Sequence, residues 1–141
     1  MFAGPSRPHL ECEPGRGLVA ISTSLVARVK LVKRASGEVY LNDGIYGGLL
    51  EWSQARALRP AHRVMRVGGT APAGEVGQFT VYGPTCDPLD VLPGGLVLPV
   101  DIAEGDYVEL GPLGAYGVAT ATRFNGYGAA ETVEVDHVLG A

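Results

Sequence analysis

The stretch GPTCDPLD, residues 83–90, places a thiol directly beside a carboxylate in a loop. Cys86 and Asp87 are flanked by glycine and proline, which favour turns, and turns of this kind lie at the surface, where binding and catalytic residues concentrate. The negative neighbour disfavours a thiolate, so Cys86 is a poor free-standing nucleophile. The pair better suits a site in which both groups face a cationic or electron-withdrawing partner. An inert thiol, or the nucleophile of a thiol-dependent hydrolase, is an alternative.

A second candidate is EPGR, Glu13 to Arg16. An arginine beside a glycine at the start of a helical turn can bind a phosphate with two hydrogen bonds, assisted by backbone N–H groups. A plain strand-to-helix turn with a solvated ion pair explains the same residues. Both interpretations stay open on the sequence alone.

Other polar groups have simpler explanations. The run Asn42 to Gly44 is typical of a type I′ turn, and Tyr116 in GAYG is typical of an aromatic residue at a strand end. The three histidines and two cysteines lack the spacing of metal ligands, so we expect no metal site and reduced thiols. These residues are His9, His62, His137, Cys12 and Cys86.

Length and composition limit the class of protein. The 141 residues suit about one domain, and 46% apolar with 18% charged residues indicates a globular chain. A net charge of −4 gives no basic patch for nucleic acid, and no apolar run is long enough to cross a membrane. The N-terminus lacks a signal peptide, so we expect a cytoplasmic, soluble protein.

Short segments in which apolar and polar residues alternate, bounded by glycine and proline, must position the candidate site residues. They predict strands at 25–34, 38–43, 64–67, 78–83, 96–100, 106–110, 117–124 and 132–138, a short strand at 9–12, and helical turns at 18–23 and 50–58. The predicted fold is mainly β, an antiparallel barrel or sandwich of about six to eight strands. Its predicted core comprises Val29, Leu31, Val39, Leu41, Phe79, Val81, Val108, Leu110, Val118, Val133 and Val135.

Four motifs in a fixed order carry a family resemblance. EPGR, YLNDGIYG, GPTCDPLD and EGDYVELGPLGAYGVATATRFNG resemble the C-terminal part of the ornithine decarboxylase branch of the fold-type III pyridoxal phosphate-dependent decarboxylases, which act on ornithine, lysine, arginine or diaminopimelate. The likeness runs from about Glu11 to Tyr127. Asp87, where the diaminopimelate branch has glutamate, and the FNG triplet favour the ornithine branch.

The resemblance implies an architecture and an assembly. In that family a (β/α)₈ barrel holds the cofactor, a β domain follows, and two subunits share each active site. Residues 1–24 would then be a strand-and-helix remnant of the last barrel unit, and residues 25–141 the C-terminal β domain. We expect a homodimer, or association with a barrel-containing chain, and a basic amino acid substrate.

The resemblance also implies roles for single residues. Glu13 would pair with the pyridine nitrogen of pyridoxal phosphate, and Arg16 and Tyr116 would bind its phosphate. Cys86 and Asp87 would reach into the active site of the other subunit. There Cys86 would take part in the return of a proton to the substrate carbon, and Asp87 would bind the distal ammonium group. Phe124 would lie in the dimer interface.

Two departures from the family pattern shape the functional hypotheses. The only lysines, Lys30 and Lys33, stand in a cationic alternating strand, so we expect no covalent binding of the cofactor to this chain alone. In the stretch EWSQARALRP that follows YLNDGIYG, only Glu51 is acidic, where many relatives have a second substrate-binding aspartate. The chain is thus predicted to be a decarboxylase segment, inactive alone. The alternative is a non-catalytic dimerisation or regulatory module that docks on a full-length decarboxylase.

Overall fold

The computed structural model describes residues 9–54, 59–72, 74–128 and 131–139. Within these ranges six strands form one sheet: β1 (Leu25–Lys33), β2 (Glu38–Leu41), β3 (Ala61–Met65), β4 (Val76–Tyr82), β5 (Leu96–Pro99) and β6 (Tyr107–Gly111). The helices are short: α1 (Arg16–Val19), α2 (Leu50–Gln54) and α3 (Gly117–Thr120), with 3₁₀ turns at Ala20–Ser22 and Phe124–Gly126. The described residues include no helix long and apolar enough to span a membrane.

The sheet curls into a nearly closed barrel. Its strand order is β3-β6-β1-β2-β4-β5, and the two edge strands meet where Nε2 of His62 lies 2.8 Å from the carbonyl oxygen of Val97. This confirms the predicted mainly β, barrel-like architecture. One pair, β2 with β4, is parallel rather than antiparallel, because the chain passes through α2 and β3 before β4 returns beside β2.

A β-bulge in β1 changes which of its residues are buried. Ala27 and Val29 face the core, but the pairing with β2 slips by one residue between Val29 and Leu31. The extra residue reverses the alternation, so Leu31 points outward with 39% exposure and Val32 packs against the core instead. The prediction that Leu31 is buried was therefore wrong.

Alternating residues of the strands, together with side chains from the loops, form the core. Seven predicted core residues are buried: Val29, Val39, Leu41, Phe79, Val81, Val108 and Leu110. Leu49, Trp52 and Ile102 join them from α2 and the loops, where strand periodicity could not identify them. Val118, Val133 and Val135 were predicted to be buried but are 75%, 74% and 55% exposed.

Three predicted strands are absent from the described structure. Residues 117–124 form α3 and the start of a 3₁₀ turn, and residues 9–12 and 132–138 are irregular. A strand needs a hydrogen-bonding neighbour, and among the described residues none of these three segments pairs with the edge strands β3 and β5. The segment near the C-terminus is instead fixed by the backbone N–H of Leu139, which donates to Glu109. The predicted helical turn at 50–58 is seen as α2, and residues 55–58 lie outside the described ranges.

Candidate functional site

Asp87 lies at the centre of a compact group that we call the Asp87 cluster: Tyr46, Cys86, Asp87, Phe124 and Asn125. The Tyr46 hydroxyl donates to one carboxylate oxygen of Asp87 at 2.5 Å, and the backbone N–H of Leu89 donates to the other at 2.8 Å. The Tyr46 hydrogen bond, followed by that of Leu89, lowers the pKa of Asp87 below its usual range. The same hydrogen bond raises the pKa of Tyr46. Asp87 is therefore an ionised carboxylate at neutral pH.

Cys86 is an exposed thiol at the edge of the same cluster. Its sulfur lies 3.7 Å from Nδ2 of Asn125, which is the donor, and the Phe124 ring packs on the Tyr46 ring with centroids 4.7 Å apart. The structure thus brings together three of the predicted site residues, namely Cys86, Asp87 and Phe124. The hydrogen-bond partner of the thiol is an amide rather than an imidazole, so the hydrolase hypothesis gains no support.

The segment that carries Phe124 and Asn125 is fixed to the loop after β2. Both the backbone N–H and the hydroxyl of Thr122 donate to the carbonyl oxygen of Tyr46, at 2.9 and 2.6 Å. Asn125 has a φ of 55°, in the left-handed region that residues other than glycine rarely adopt. Strained backbone of this kind persists where surrounding contacts enforce it. Local hydrogen bonds, rather than the sheet, thus hold the Asn125 amide beside the thiol.

Asp90 is buried beneath the loop and fixes its shape. With 1% exposure, its carboxylate accepts hydrogen bonds from the backbone N–H groups of Ile45 and Thr85 at 3.1 and 3.0 Å, and from the Thr85 hydroxyl at 2.7 Å. A Cβ atom on Gly83 would lie 2.2 Å from Asp90, and one on Gly44 would lie 2.3 Å away. Only glycine fits at both positions, so YLNDGIYG and GPTCDPLD close around a single buried carboxylate.

Asp43 corrects the prediction of a type I′ turn at residues 42–44. Such a turn requires positive φ at its two central residues, and none of these three residues has one. Asp43 is instead buried, with Oδ1 accepting from the backbone N–H groups of Gly44 and Gly48 at 2.7 and 3.0 Å. Burial, more than the charge of Asp90, raises the pKa of Asp43. The motif therefore builds the floor of the Asp87 cluster rather than a hairpin.

A second polar region, the arginine cleft, lies at the N-terminus of α1. It is an open cleft of about 410 Å³ lined by Arg16, Leu50, Glu51, Gln54, Tyr116 and Thr120. The Arg16 guanidinium hydrogen bonds to a Glu51 oxygen and stands 5.3 Å from the centroid of the Tyr116 ring. The Glu51 hydrogen bond raises the pKa of Arg16. Arg16 and Tyr116, distant in sequence, are thus neighbours, as a shared anion site requires.

The loop after β6 positions α1 beside Tyr116. The backbone N–H of Leu113 donates to Thr23 and that of Gly114 donates to Ala20, each at 2.8 Å. A Cβ atom on Gly114 would lie 1.7 Å from the carbonyl oxygen of Val19, so this approach requires glycine. Two residues later Tyr116 adopts a φ of 65° before α3 begins. The segment 116–125 thereby connects the arginine cleft to the Asp87 cluster.

The remaining predicted site residue, Glu13, stands apart from both groups. It is exposed in an irregular segment and is not among the residues that line the arginine cleft. Among the described residues no group of three or more histidine, cysteine, aspartate or glutamate side chains could hold a metal ion.

Residues that the sequence analysis missed are those that orient the predicted ones. Tyr46, Asp90, Thr122 and Asn125 make the hydrogen bonds of the Asp87 cluster, and Glu51 was noted only as an acidic residue. Tyr46 and Asp90 occur within the quoted motifs YLNDGIYG and GPTCDPLD, and that placement was the available signal. Their hydrogen bonds join residues 39 or more positions apart or turn back within a loop, so spacing alone did not reveal them.

Comparison with known proteins gives a consistent result. Residues 21–114 match the family described as "Pyridoxal-dependent decarboxylase, C-terminal sheet domain". The chain is 34% identical over 133 residues to ornithine decarboxylase of Schizosaccharomyces pombe, covering 88% of this chain and 31% of that protein. It is also 34% identical over 131 residues to diaminopimelate decarboxylase of Actinosynnema pretiosum subsp. auranticum, covering 91% of this chain and 28% of that protein.

A solved structure of a relative agrees with the sequence comparisons. The lysine/ornithine decarboxylase from Vibrio vulnificus, complexed with putrescine, superimposes with a TM-score of 0.71 at 33% identity, covering 88% of this chain and 32% of that one. The chain therefore spans about a third of the length of the relatives it matches. The sequence match covers most of the barrel-like sheet, and the fold agrees with it, so this chain belongs to the family of pyridoxal-dependent decarboxylases and corresponds to their C-terminal sheet domain.

Proposed function

We propose that this chain is the C-terminal segment of a pyridoxal phosphate-dependent basic amino acid decarboxylase of the ornithine type, incomplete and inactive alone. In this proposal it contributes Cys86 and Asp87 to an active site that a barrel-bearing chain completes. The observation that carries the proposal is the Asp87 cluster, which holds an ionised carboxylate and a thiol side by side on the surface.

Asp87 would recognise the substrate by charge. Its carboxylate is held ionised by hydrogen bonds from Tyr46 and Leu89, and a carboxylate in a closed site discriminates strongly for an ammonium group. The Vibrio vulnificus relative binds putrescine, a diamine, which is in keeping with such recognition. We therefore infer a diamino acid substrate, whose distal ammonium would pair with Asp87.

Cys86 would act next to that ammonium as a proton carrier. Its thiol is exposed, and its hydrogen bond from Asn125 leaves the S–H proton free to be donated. In the proposed role the thiol holds a proton for return to the substrate carbon after loss of carbon dioxide.

The arginine cleft fits the phosphate end of pyridoxal phosphate. Arg16 offers a guanidinium and Tyr116 a phenol on one open cleft, and phosphate is a preferred partner of arginine. When bound, this cofactor withdraws electrons from the bond that breaks. Glu13 would face the pyridine nitrogen from the flanking segment. Lys30 and Lys33 lie on β1 and are not among the residues that line the cleft. We therefore propose that the lysine that binds the cofactor covalently comes from the barrel of another chain.

The surface between the two regions would be the assembly interface. Tyr116, Val118, Phe124 and Tyr127 are all at least 44% exposed and occur within twelve residues of one another, 116–127. Exposed apolar patches of this kind mark protein interfaces. We propose that this strip packs against a second copy or against a barrel-containing decarboxylase chain.

The division into a barrel remnant, 1–24, and a β domain, 25–141, and the cytoplasmic location remain predictions.

A non-catalytic module is the second candidate. The observation that favours it is the pairing of Arg16 with Glu51, which leaves no free cation among the described residues that line the arginine cleft. Such a domain would use the strip 116–127 to dock on a complete decarboxylase and regulate it. It would not need Cys86 or Asp87.

A chimeric enzyme separates the two candidates. This chain replaces the corresponding segment of the Schizosaccharomyces pombe ornithine decarboxylase, and release of carbon dioxide is measured with ornithine, lysine, arginine and diaminopimelate. We expect activity on a diamino acid that falls at least about a hundredfold in Cys86→Ala and in Asp87→Ala. A folded, dimeric chimera that is inactive, or whose activity is unaffected by both substitutions, would contradict the catalytic proposal. Ser53→Ala, on α2 outside both regions, is the matched control.

A further inference from the structure

Among the described residues that line the arginine cleft, Glu51 is the one charged group to which the proposed function gives no role. Its carboxylate is paired with Arg16, its side chain is only 9% exposed, and its second oxygen is buried with no hydrogen-bond donor among the described residues. The Arg16 side chain, by contrast, is 47% exposed and open to solvent along the cleft. An anion can therefore reach Arg16, but it meets a guanidinium that already has a partner.

We propose that Glu51 is an internal competitor for Arg16 that determines which anions the arginine cleft accepts. Phosphate dianions bind by displacing the carboxylate, whereas simple carboxylate monoanions do not. The inference rests on the assignment of Arg16 as the phosphate-binding residue, and it adds a selectivity that this assignment alone does not contain.

Charge and geometry give the reason for this selectivity. A guanidinium offers a planar fork of donors, and Glu51 occupies part of that fork. A second carboxylate arriving from solvent offers the same two oxygens and the same charge, so the exchange gains nothing. A phosphate monoester offers three oxygens and about 1.5 to 2 negative charges, so it pairs with Arg16 more strongly than the Glu51 carboxylate does.

The rest of the cleft lining is suited to the same exchange. Gln54 lies about one turn after Glu51 on α2, and Thr120 lies at the end of α3. The Gln54 amide can donate to a phosphate oxygen without competing for Arg16, whereas the Thr120 hydroxyl already donates to the Tyr116 carbonyl oxygen at 2.6 Å. Among the described residues that line the cleft, Glu51 is the single acidic side chain.

The test measures anion binding rather than enzyme activity. Inorganic phosphate and acetate are titrated separately into the purified chain at neutral pH and constant ionic strength, by calorimetry and by ¹⁵N NMR of the arginine side chains. The variants are Glu51→Gln, Arg16→Ala and the double variant. Glu38→Gln is the control, because it makes the same change of charge at the ion pair with Lys33, which lies outside the arginine cleft.

We expect Glu51→Gln to bind phosphate about tenfold more tightly than the unmodified chain, because one charge-assisted contact no longer has to be broken. Acetate binding should become measurable in Glu51→Gln, Glu38→Gln should match the unmodified chain, and the double variant should lose the gain. Equal or weaker phosphate binding by Glu51→Gln, or a gain that persists without Arg16, would overturn the proposal.

Two precautions keep the result decisive. If circular dichroism shows that Glu51→Gln is unfolded, Glu51→Asp is measured instead. The shorter aspartate side chain weakens the pair with Arg16 while keeping the charge. A gain in phosphate affinity below about threefold then counts against the proposal. Phosphate affinity and chimera activity are also independent readouts. If Glu51→Gln binds phosphate tenfold more tightly but the chimera is inactive, the role of Glu51 is supported and the catalytic proposal is contradicted. If the chimera is active but Glu51→Gln shows no gain in phosphate affinity, the catalytic proposal is supported and the role of Glu51 is contradicted.

Discussion

The Asp87 cluster and the arginine cleft differ in how they are built. The Asp87 cluster is held by hydrogen bonds within the β domain, from Tyr46 and Thr122 and around the buried Asp90. The arginine cleft depends on α1, which has no buried residue, and on one ion pair between Arg16 and Glu51. The first region is therefore preorganised by the fold, whereas the second is assembled from a peripheral segment.

In the proposed composite site, this difference would separate two roles. A group that one chain offers to another must hold its geometry before assembly, because disorder lowers affinity at the moment of binding. The Asp87 cluster meets that requirement within this chain. The arginine cleft, with exposed Leu18 and Ile21 nearby, has the character of a segment that gains its final packing from a neighbour.

Removing the Asp90 carboxylate should have the largest effect, because it would break the preorganised region. Asp90→Ala leaves the part-buried backbone N–H groups of Ile45 and Thr85 without their carboxylate acceptor. We expect a loss of about 3 kcal/mol in the free energy of unfolding, measured by urea denaturation. Asp136→Ala, at an exposed position, should change it by less than about 0.5 kcal/mol, and equal effects of the two substitutions would refute the role assigned to Asp90.

Limited proteolysis should show the second largest difference between the two regions, in the order in which they are cleaved. Brief digestion is expected to cut first in the segment before Ser24, where the described residues from His9 onward are mostly exposed and lie outside the sheet. The fragments are identified by mass spectrometry. Initial cleavage within VATATRF, residues 118–124, would contradict both the predicted division at residue 24 and the firm attachment of Thr122 to Tyr46.

Tyr46→Phe should have a smaller effect, confined to the titration of Asp87. The hydrogen bond from the Tyr46 hydroxyl is the main cause of the lowered pKa of Asp87, so its removal should raise that pKa toward the ordinary value. In the unmodified chain this stabilisation is present above the unfolded pKa of about 3.9 and is lost as the pH falls through the lower, folded pKa. Carboxyl ¹³C NMR measures the shift, and an unchanged Asp87 pKa would show that Tyr46 does not control it.

Arg16→Ala should have the smallest effect on stability. The Arg16 side chain is 47% exposed, which weakens the ion pair, but its loss also leaves the 9% exposed Glu51 carboxylate without its partner. We expect a loss in the free energy of unfolding that is roughly a third of that caused by Asp90→Ala, measured by urea denaturation. A loss as large as that caused by Asp90→Ala would mean that the arginine cleft is as much a part of the fold as the Asp87 cluster.

The sequence predicted the barrel-like β fold because alternation and turn residues report directly on strands. It failed at Leu31, since a bulge depends on the pairing partner. It also failed at residues 117–124 and 132–138, since alternation does not specify whether a segment finds a neighbouring strand to pair with. Site residues could be proposed from motifs, and the structure groups Cys86 with Asp87 and Arg16 with Tyr116. The residues that orient them, such as Asp90 and Asn125, act through tertiary contacts that no local pattern specifies.

The most direct test of the composite site is complementation between two inactive chimeras, one carrying Cys86→Ala and the other Arg16→Ala. If each active site takes Cys86 from one chain and Arg16 from the other, random mixing places one intact site in half of the dimers. The mixture should then regain about a quarter of the unmodified chimera's activity. A mixture that stays as inactive as its two components, although mass spectrometry shows mixed dimers, would contradict the account.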